Sequence, residues 1–350
     1  MAATSLAVVA CSLQAKGAPP PMTSQPPHEF CVGRLSVELP AGATVALSAS
    51  YKAVDIEKPK TFPSFDALKN ELEARSKKLA AVDMVRDSYG DRILRAGGLD
   101  PDAMYGKAQL LGFEVNDSQH QVLIGYHPKV DDSDILVEVH EFADGKDHIF
   151  QSKNIGANTY PRVRANLLTA AKQFKPINNR SMPDQPGFCV DGGMFVDAGK
   201  PPVNERFTLV LTFPGHPDVQ FSIDANAIDQ VNKGEPSLKH RVDGDLKMMR
   251  ANYSGGINVL ERGELDAAGQ KGYQIAISAP YDNVPGTHIR KFFWSADGVP
   301  NDVTRPFMEV DLTIQPTDDG KSTIKDDAEA KALWEKLIGS LRIRPGAAQR

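Results

Sequence analysis

The stretch G-F-C-V-D-G-G-M-F at residues 187–195 decides how this chain is divided. It follows a polar, proline-containing segment, I-N-N-R-S-M-P-D-Q-P at 177–186, which has no hydrophobic period. A second stretch, F-C-V-G-R-L-S-V-E-L-P at 30–40, opens the first half of the chain in a similar way. Each stretch places a cysteine, Cys31 or Cys189, just ahead of a strand-like run. We interpret the two stretches as the entrances to two related domains.

The order of predicted elements indicates that the halves repeat each other. Each runs from its cysteine through strands, a helix, three strands and a second helix to a basic residue and a proline. Short segments also look alike: V-E-V-H-E-F-A-D-G-K at 137–146 resembles M-E-V-D-L-T-I-Q-P-T-D-D-G-K at 308–321, and I-L-R-A-G at 93–97 resembles V-L-E-R-G at 259–263. The period is too long for a solenoid.

The sequence therefore predicts an α+β fold of two related domains, each an antiparallel sheet with packed helices. The domains span 29–177 and 187–345, with a linker at 178–186 and a disordered tether at 1–28. Apolar spacing predicts helices at 64–81, 161–174 and 326–342, and more weakly at 237–251. Alternation predicts strands at 35–39, 109–115, 121–127, 134–142, 207–213, 219–223, 273–279, 289–295 and 307–314.

Composition excludes several classes of protein. With 350 residues, 41% hydrophobic and 24% charged, the chain has the composition of a globular protein of two domains. A net charge of −5 and the lack of a basic block leave no electrostatic footprint for nucleic acid. Past the N-terminus, no apolar run approaches the ~18 residues that a membrane-spanning helix needs.

The N-terminal segment resembles a bacterial lipoprotein signal. Residues 6–11 read L-A-V-V-A-C, which puts small apolar residues directly before Cys11 as the acylated residue. The following segment carries five prolines before His28, a composition typical of a solvated tether. The segment lacks the positive n-region of a signal peptide, and the alternative is a disordered tail. We expect a periplasmic protein, anchored at the outer membrane if Cys11 is lipidated.

Residue patterns for catalysis and metal binding fail on spacing. There is no G-x-S-x-G, and Gly320-Lys321-Ser322 lacks the earlier glycine of a phosphate loop. The acidic run at 131–134 lacks the central glycine of a calcium loop. The densest group of metal-ligand residue types is His140, Glu141, Asp144, Asp147 and His148, which we predict to be exposed at a loop. The prediction is therefore no catalytic residue, no metal and no cofactor.

Cys31 and Cys189 lie in neither C-x-x-C nor a catalytic cysteine context. In an oxidising compartment they could form one disulfide that ties the two domain entrances together. The alternative is two separate buried thiols, one at the start of each core. Spacing along the chain does not decide between them, because a disulfide requires a short Cα separation.

Several motifs resemble the class-four Tle-cognate immunity family, which neutralises a phospholipase effector of type VI secretion. The C-terminal domain of that family is similar to G-F-C-V-D-G-G at 187–193, L-E-R-G at 260–263 and A-L-W-E-K-L-I-G-S-L-R-I-R-P at 332–345. Two further matches are L-x-F-P-x-x-P-D-V-Q-F-S-I at 211–223 and H-x-x-x-F-F-W at 288–294. C-V-G-R-L-S-V-E-L-P at 31–40 resembles the opening of the family's N-terminal domain.

The resemblance implies inhibition by binding. Such a protein waits in the periplasm, covers the catalytic mouth or lid of a delivered phospholipase, and grips it with two linked domains. The interface residues are not implied. Two other functions remain open from the sequence: a structural or assembly lipoprotein of the envelope, and a periplasmic enzyme with a site around His140 and His148.

Overall fold

The described residues of the first half of the chain form ten strands. The computed structural model describes residues 28–348 except 41, 86–87, 103–105, 200–202, 232–235, 253–255, 282–283 and 285. The predictions for Cys11 and for the tether up to residue 27 lie outside these residues. The elements of this half are β1 (His28–Val32), β2 (Leu35–Leu39), β3 (Thr44–Tyr51), β4 (Val54–Ile56), β5 (Lys60–Thr61), α1 (Phe65–Ala80), α2 (Ser88–Ala96), β6 (Leu110–Asn116), β7 (Gln121–Tyr126), β8 (Ile135–Ala143), β9 (Lys146–Ile155), α3 (Tyr160–Gln173) and β10 (Phe174–Pro176).

The second half repeats this order of strands and helices. Like the first half, it opens with a short hairpin and closes with a helix and a two- or three-residue strand. Its elements are β11 (Gly187–Val190), β12 (Gly193–Val196), β13 (Glu205–Phe213), β14 (His216–Asn226), α4 (Leu238–Asn252), β15 (Asn258–Ala267), β16 (Gln270–Pro280), β17 (His288–Ala296), β18 (Phe307–Ile314), α5 (Asp327–Ile338) and β19 (Arg342–Ile343).

One antiparallel sheet of thirteen strands runs through both halves, in the order β15-β16-β17-β18-β14-β13-β3-β4-β9-β8-β7-β6, with β5 beside β9. Its centre is the pair β3–β13, in which Glu205 lies opposite Tyr51 and Thr212 opposite Thr44. Strands at equal distances on the two sides of that pair occupy equivalent positions in the two halves. The equivalent strands are β4 and β14, β9 and β18, β8 and β17, β7 and β16, and β6 and β15. The fold therefore has a pseudo-two-fold axis through β3–β13, and the predicted pair of related α+β halves is confirmed.

The two motif pairs quoted for the repeat were wrong, although the repeat itself is present. The segment at 137–146 lies in β8, whereas the segment at 308–321 begins in β18, whose counterpart is β9. The segment at 93–97 is mostly helix α2, and its supposed equivalent at 259–263 is strand β15. Short alternating strands resemble one another whatever their place in a sheet, so such similarity does not fix the alignment.

The two faces of the sheet are covered differently. On one face, helices α3 and α5 and the two three-stranded sheets β1-β2-β19 and β10-β12-β11 pack over a continuous core. On this face Leu47 lies opposite Leu209, and Phe292 of β17 stacks on Trp334 of α5 at 5.7 Å between ring centroids. On the other face, α1 and α4 cover only the two ends of the sheet. Among the described residues, none covers the middle of that face, where Ala46 and Ser48 are exposed.

The predicted helix starts are present. The Ser64 hydroxyl caps α1 by accepting from the Ala67 N–H at 3.2 Å, and the Asp326 carboxylate caps α5 by accepting from the Glu329 N–H at 2.9 Å. A proline also stands in the first turn of α3, where its missing N–H costs nothing. Within the described residues, no helix combines the length and apolar character needed to cross a membrane.

The entrance stretches of the two halves meet at the pseudo-two-fold axis. The Gly33 N–H donates to the Cys189 carbonyl, and the Cys189 N–H donates to the Gly33 carbonyl, both at 2.8 Å. Cys31 and Cys189 are joined by a disulfide with a Cα–Cα distance of 5.9 Å. The short end strands are exchanged, because β10 pairs with β12 of the second half and β19 pairs with β2 of the first. Each half is therefore completed by the other.

The Gly192-Gly193 pair permits this close approach, as the sequence predicts. Gly192 has φ +71°, a left-handed conformation that glycine adopts without strain. A methyl group on Gly193 would overlap the ring of Phe174. The two glycines thus serve the turn and packing of the β11–β12 hairpin.

A buried ionic cluster reinforces the same junction. Arg34, in the turn between β1 and β2, is only 2% exposed and donates through Nε to Glu205 at 2.7 Å and through Nη1 to Asp197 at 2.7 Å. Arg34 also donates to the Ala347 carbonyl. Although burial alone lowers the pKa of Arg34, its hydrogen bonds to the two carboxylates raise it above the ordinary value. The cation of the first half is thereby held by two anions of the second.

Candidate functional site: a groove across the sheet

The floor of the open groove is formed by one face of β3 and β13. In the register of this pair, Thr44 lies opposite Thr212, Ala46 opposite Val210, Ser48 opposite Thr208 and Ser50 opposite Arg206. Alternation puts these side chains on the face opposite Leu47 and Leu209. Apart from Arg206 they are small, and all but Ala46 and Val210 are polar. The floor therefore carries short, mostly polar side chains, whereas the opposite face of the same two strands is apolar.

A cavity of about 370 Å³ opens over this floor. It is lined by side chains from both halves of the chain, because β4 and β9 continue the floor on one side of the axis and β13 on the other. The lining residues are Ser48, Ala49, Ser50, Asp55, Ile56, Glu57, Lys153, Arg206, Phe207 and Thr208. A partner segment seated there would touch the first and the second half at once.

The first wall of the groove is α1. Its buried residues Phe65, Leu68 and Leu72 pack on Val122 of β7. Arg75 of α1 fixes the helix further, because Nη1 donates to Glu138 of β8 at 2.6 Å and Nη2 to the Tyr126 hydroxyl at 2.5 Å.

The second wall is α4, the counterpart of α1 under the pseudo-two-fold axis. Val242 and Leu246 pack on Ile275 and Ile277 of β16. Arg262 of β15 adds an ion pair to Asp243 of α4 at 2.5 Å. The groove thus lies between two helices, each held by apolar packing and by an arginine.

Charged side chains decorate the floor in partly matched pairs. Arg206 contacts Asp224 at 3.1 Å, and Lys153 contacts Glu57 at 3.3 Å. Beyond Asp224, the face continues to Glu309 and Asp311 of β18. Burial, and then the neighbouring Glu309, raise the pKa of Asp311 to about 6. The second half of the floor therefore carries more anionic groups than the first.

The group around His140 was predicted to be exposed at a loop, which is correct for Asp144 but wrong for His140, Asp147 and His148. His140 is 3% exposed and lies on β8, and Asp147 is 1% exposed and lies on β9. The turn between these strands consists of only two residues, Asp144 and Gly145. Both turn residues have positive φ, 50° and 71°, as a two-residue hairpin loop requires. Asp144 and Gly145 thus form a tight turn between two largely buried strands.

His140 is the centre of a chain of charges beneath α1. Its Nδ1 lies 2.9 Å from Asp147 and its Nε2 lies 3.3 Å from Glu138, which also binds Arg75. Burial lowers the pKa of His140, but the bonds to both carboxylates outweigh burial and raise it. Burial raises the pKa of Glu138, but the hydrogen bonds from His140 and Arg75 outweigh burial and lower this pKa to about 2. Charged His140 therefore helps to hold the first wall in place.

This arrangement predicts a loss of stability at alkaline pH. The raised pKa of His140 contributes stability that is full below about pH 6.5, its unfolded value, and disappears as pH rises through the folded pKa. We expect the His140→Gln variant to lose less free energy of unfolding than the native chain between pH 6 and 9, by about 1–2 kcal/mol. Urea unfolding across this range measures it. Parallel pH curves for the two proteins would contradict the assignment.

The described residues bring no three His, Cys, Asp or Glu side chains into a group that could hold a metal ion. Both ring nitrogens of His140 are engaged by carboxylates, so this histidine has no free nitrogen to act as a base. In the loop at 317–322 Lys321 is exposed and pairs with Asp319 at 2.5 Å, and Ser322 donates to Asp218. The loop is a polar turn without a glycine-rich cradle.

Exposed apolar side chains mark the connections that carry the walls. Among the described residues, five such side chains lie between β5 and β6, and two lie in the equivalent connection between β14 and β15. Sequence reasoning missed Tyr89 and Ile93 because α2, whose described residues are all at least partly exposed, was not predicted as a helix. These residues are Val82, Val85, Tyr89, Ile93, Leu99, Val231 and Met248.

The fold and the groove define a class of protein: a duplicated α+β scaffold with a two-walled surface for a partner. Residues 181–346 match the family model of the Tle cognate immunity protein 4 C-terminal domain. This match lies in the second half of the chain, and it confirms the resemblance seen in the motifs of that half. No curated protein sequence matches this chain.

Solved structures extend the likeness to both halves. The apo structure of the type VI secretion immunity protein TplEi from Pseudomonas aeruginosa has a TM-score of 0.73 at 18% identity, covering 93% of this chain and 99% of that one. The immunity protein in the crystal structure of the Tle4–Tli4 complex has a similar fold, with a TM-score of 0.72 at 19% identity, covering 91% and 98%. At this identity the likeness establishes the fold.

Proposed function

We propose that this protein is an immunity protein that binds and inhibits a cognate type VI secretion phospholipase, and so protects the producing cell and its kin from hydrolysis of their membrane lipids. The observation that carries the proposal is the match of residues 181–346 to the Tle cognate immunity protein 4 C-terminal domain. Similar folds in TplEi and in the Tle4–Tli4 complex support it. The inhibitor acts by covering the active-site mouth or lid of the lipase.

The groove has a geometry that suits such binding. A stable complex of this kind buries about 1,600 Å² of accessible surface in total, so a partner must contact more of the protein than the lining of the central cavity. The floor and both walls together offer a concave surface to which both halves contribute. Exposed apolar residues such as Val85, Ile93 and Met248 add the kind of side chain that anchors a protein interface. Contacts from both halves act as one binding site, because the halves are joined through β3 and β13.

Action by binding rather than by catalysis is part of the proposal. On the groove floor, Ser48 lies opposite Thr208 and Ser50 opposite Arg206. Neither serine therefore has a histidine opposite it on β13 to act as the base that activates a nucleophile, which supports action by binding. The buried position of His140, with both nitrogens occupied, supports it as well.

The periplasm is the proposed compartment. A disulfide between Cys31 and Cys189 suits an oxidising environment. Acylation of Cys11 would anchor the body to the outer membrane through the proline-containing segment that precedes His28.

The proposal predicts a one-to-one complex with a cognate phospholipase, and a lipase encoded by a gene adjacent to this chain's gene would be the first candidate. Purified separately and mixed, the two proteins should co-elute in size-exclusion chromatography, with a Kd below about 1 μM by calorimetry, as expected for an interface of standard size. No complex at tens of micromolar of each protein would contradict the proposal and favour a structural envelope protein. A metal-dependent activity of this chain that is lost in His140→Ala and His148→Ala would favour an enzyme.

A further inference from the structure

The disulfide lies on the side of the junction opposite the groove. Cys31 follows Phe30 in β1, and Cys189 follows Phe188 in β11, so each half contributes the cysteine of its own entrance hairpin. The β11–β12 hairpin packs on the core face of β3, where Tyr51 stacks on Phe195 at 4.6 Å between ring centroids. The other face of β3 is the floor of the groove. The bond therefore connects the two halves directly behind the floor.

Two further contacts hold the hairpins together without the bond. The Asn179 side-chain amide donates to the carbonyls of Cys31 and Val190 at 2.9 and 2.8 Å. The Gly192 N–H donates to the Asn179 side-chain oxygen at 2.8 Å. With the Arg34 cluster nearby, these contacts hold the hairpins together in a chain whose cysteines are reduced.

Both cysteines are 0% exposed and pack with Met194 in a small cluster of their own. A reductant or an oxidant reaches the sulfur atoms only when the hairpins separate. The bond is consequently set during folding and is then kept. It also closes a long loop, because 158 residues separate the cysteines, and in the chain-entropy account long loops gain the most stability from a cross-link.

We infer that this disulfide is a redox latch that fixes the two walls of the groove relative to each other, so that tight partner binding requires an oxidising compartment. In closing it, the Cys31 and Cys189 thiols lose two protons and two electrons and form one S–S bond. The electrons pass to a small-molecule or protein disulfide, which is reduced to two thiols through a mixed disulfide. The inference rests on the proposed function for its effect on binding, but its effect on the fold is independent of any partner.

The test compares the oxidised full chain, the same chain refolded with reductant, and a Cys31→Ala/Cys189→Ala variant, all with Cys11→Ser so that only one thiol pair remains. We expect the Tm to fall by about 5–10 °C in both unlatched forms. We expect affinity for the lipase to fall about tenfold or more. Reductant added to the native oxidised chain should leave both cysteines resistant to alkylation.

Met194→Ala is the matched control, because it loosens the same cluster and leaves the bond intact. Its Tm should fall, and it should still drop further when the chain is refolded with reductant. Equal Tm and equal affinity in oxidised and reduced chains would overturn the latch while leaving the proposed function standing. If the oxidised chain fails to bind lipase, the proposed function fails, and the Tm comparison still decides whether the latch exists.

Discussion

Replacing Arg34 by methionine should destabilise the protein by about 3–5 kcal/mol, because breaking a buried ion pair from one side leaves uncompensated charge. Asp197 and Glu205 are both buried, and Arg34 donates to each with bonds of 2.7 Å. Methionine fills much of the space but donates no hydrogen bond. Both carboxylates must then take up protons or water for the junction of the two halves to persist. Chemical denaturation at pH 7 measures the difference in free energy of unfolding.

A matched control is Arg342→Met on the neighbouring strand. Arg342 pairs with Glu38 at 3.4 Å, but its side chain is 58% exposed. An exposed pair of this kind contributes less than about 1 kcal/mol. If Arg34→Met costs no more than Arg342→Met, the buried cluster does not hold the halves together as described.

The second large effect concerns the groove. Ala46→Arg places a long, charged side chain on the exposed face of β3, beside Ser48 and opposite Val210. If a partner sits on this floor, the arginine blocks it, and affinity for the lipase should fall about 30-fold or more, the equivalent of a hot-spot loss of ~2 kcal/mol. Stability should change by no more than about 0.5 kcal/mol, since the position faces solvent. Calorimetry and urea unfolding on the same samples separate the two effects.

Ala332→Arg provides the same substitution away from the groove. Ala332 is exposed on α5, which packs on the opposite face of the sheet. This variant should bind the lipase as the native chain does. Equal loss of affinity in both variants, or in neither, would remove the groove floor from the interface.

Local patterns in the sequence predicted most of the helices and strands that form within a single half of the chain. The alternation at 134–142 predicted β8, which spans Ile135–Ala143, and Ser64 and Asp326 predicted the starts of α1 and α5. These signals are local because capping and one-sided burial act within a few residues. Duplication was also predictable, since each half repeats the same order of elements.

The features that join the halves were not predictable. The pairing of β3 with β13 brings together residues 44–51 and 205–213, and β3 itself was not predicted. Arg34 meets Asp197 and Glu205, which are 163 and 171 residues away in sequence. No periodicity encodes contacts of that range, and a basic residue is usually exposed. Burial of His140 was missed for the same reason, because its compensation by Asp147 and Glu138 is a tertiary feature.

Candidate site residues were less predictable than the fold. Burial patterns show that β3 has one exposed face, but a row of small polar residues such as Ser48 and Ser50 is ordinary for a solvated strand. The row becomes a groove floor only because α1 and α4 stand at the two ends of the same face. In the connection that carries the first wall, a signal was present in α2, where Tyr89 and Ile93 are exposed in the part of the chain that the structure describes.

The most direct test of the account is a titration of the cognate lipase with this protein. Phospholipase activity on vesicles is measured as the purified, oxidised chain is added, with Ala46→Arg and Ala332→Arg as comparisons. The account predicts that activity falls linearly to near zero at one equivalent of the native chain or of Ala332→Arg, and that Ala46→Arg needs a large excess. Undiminished lipase activity at a many-fold excess of the native protein would contradict it.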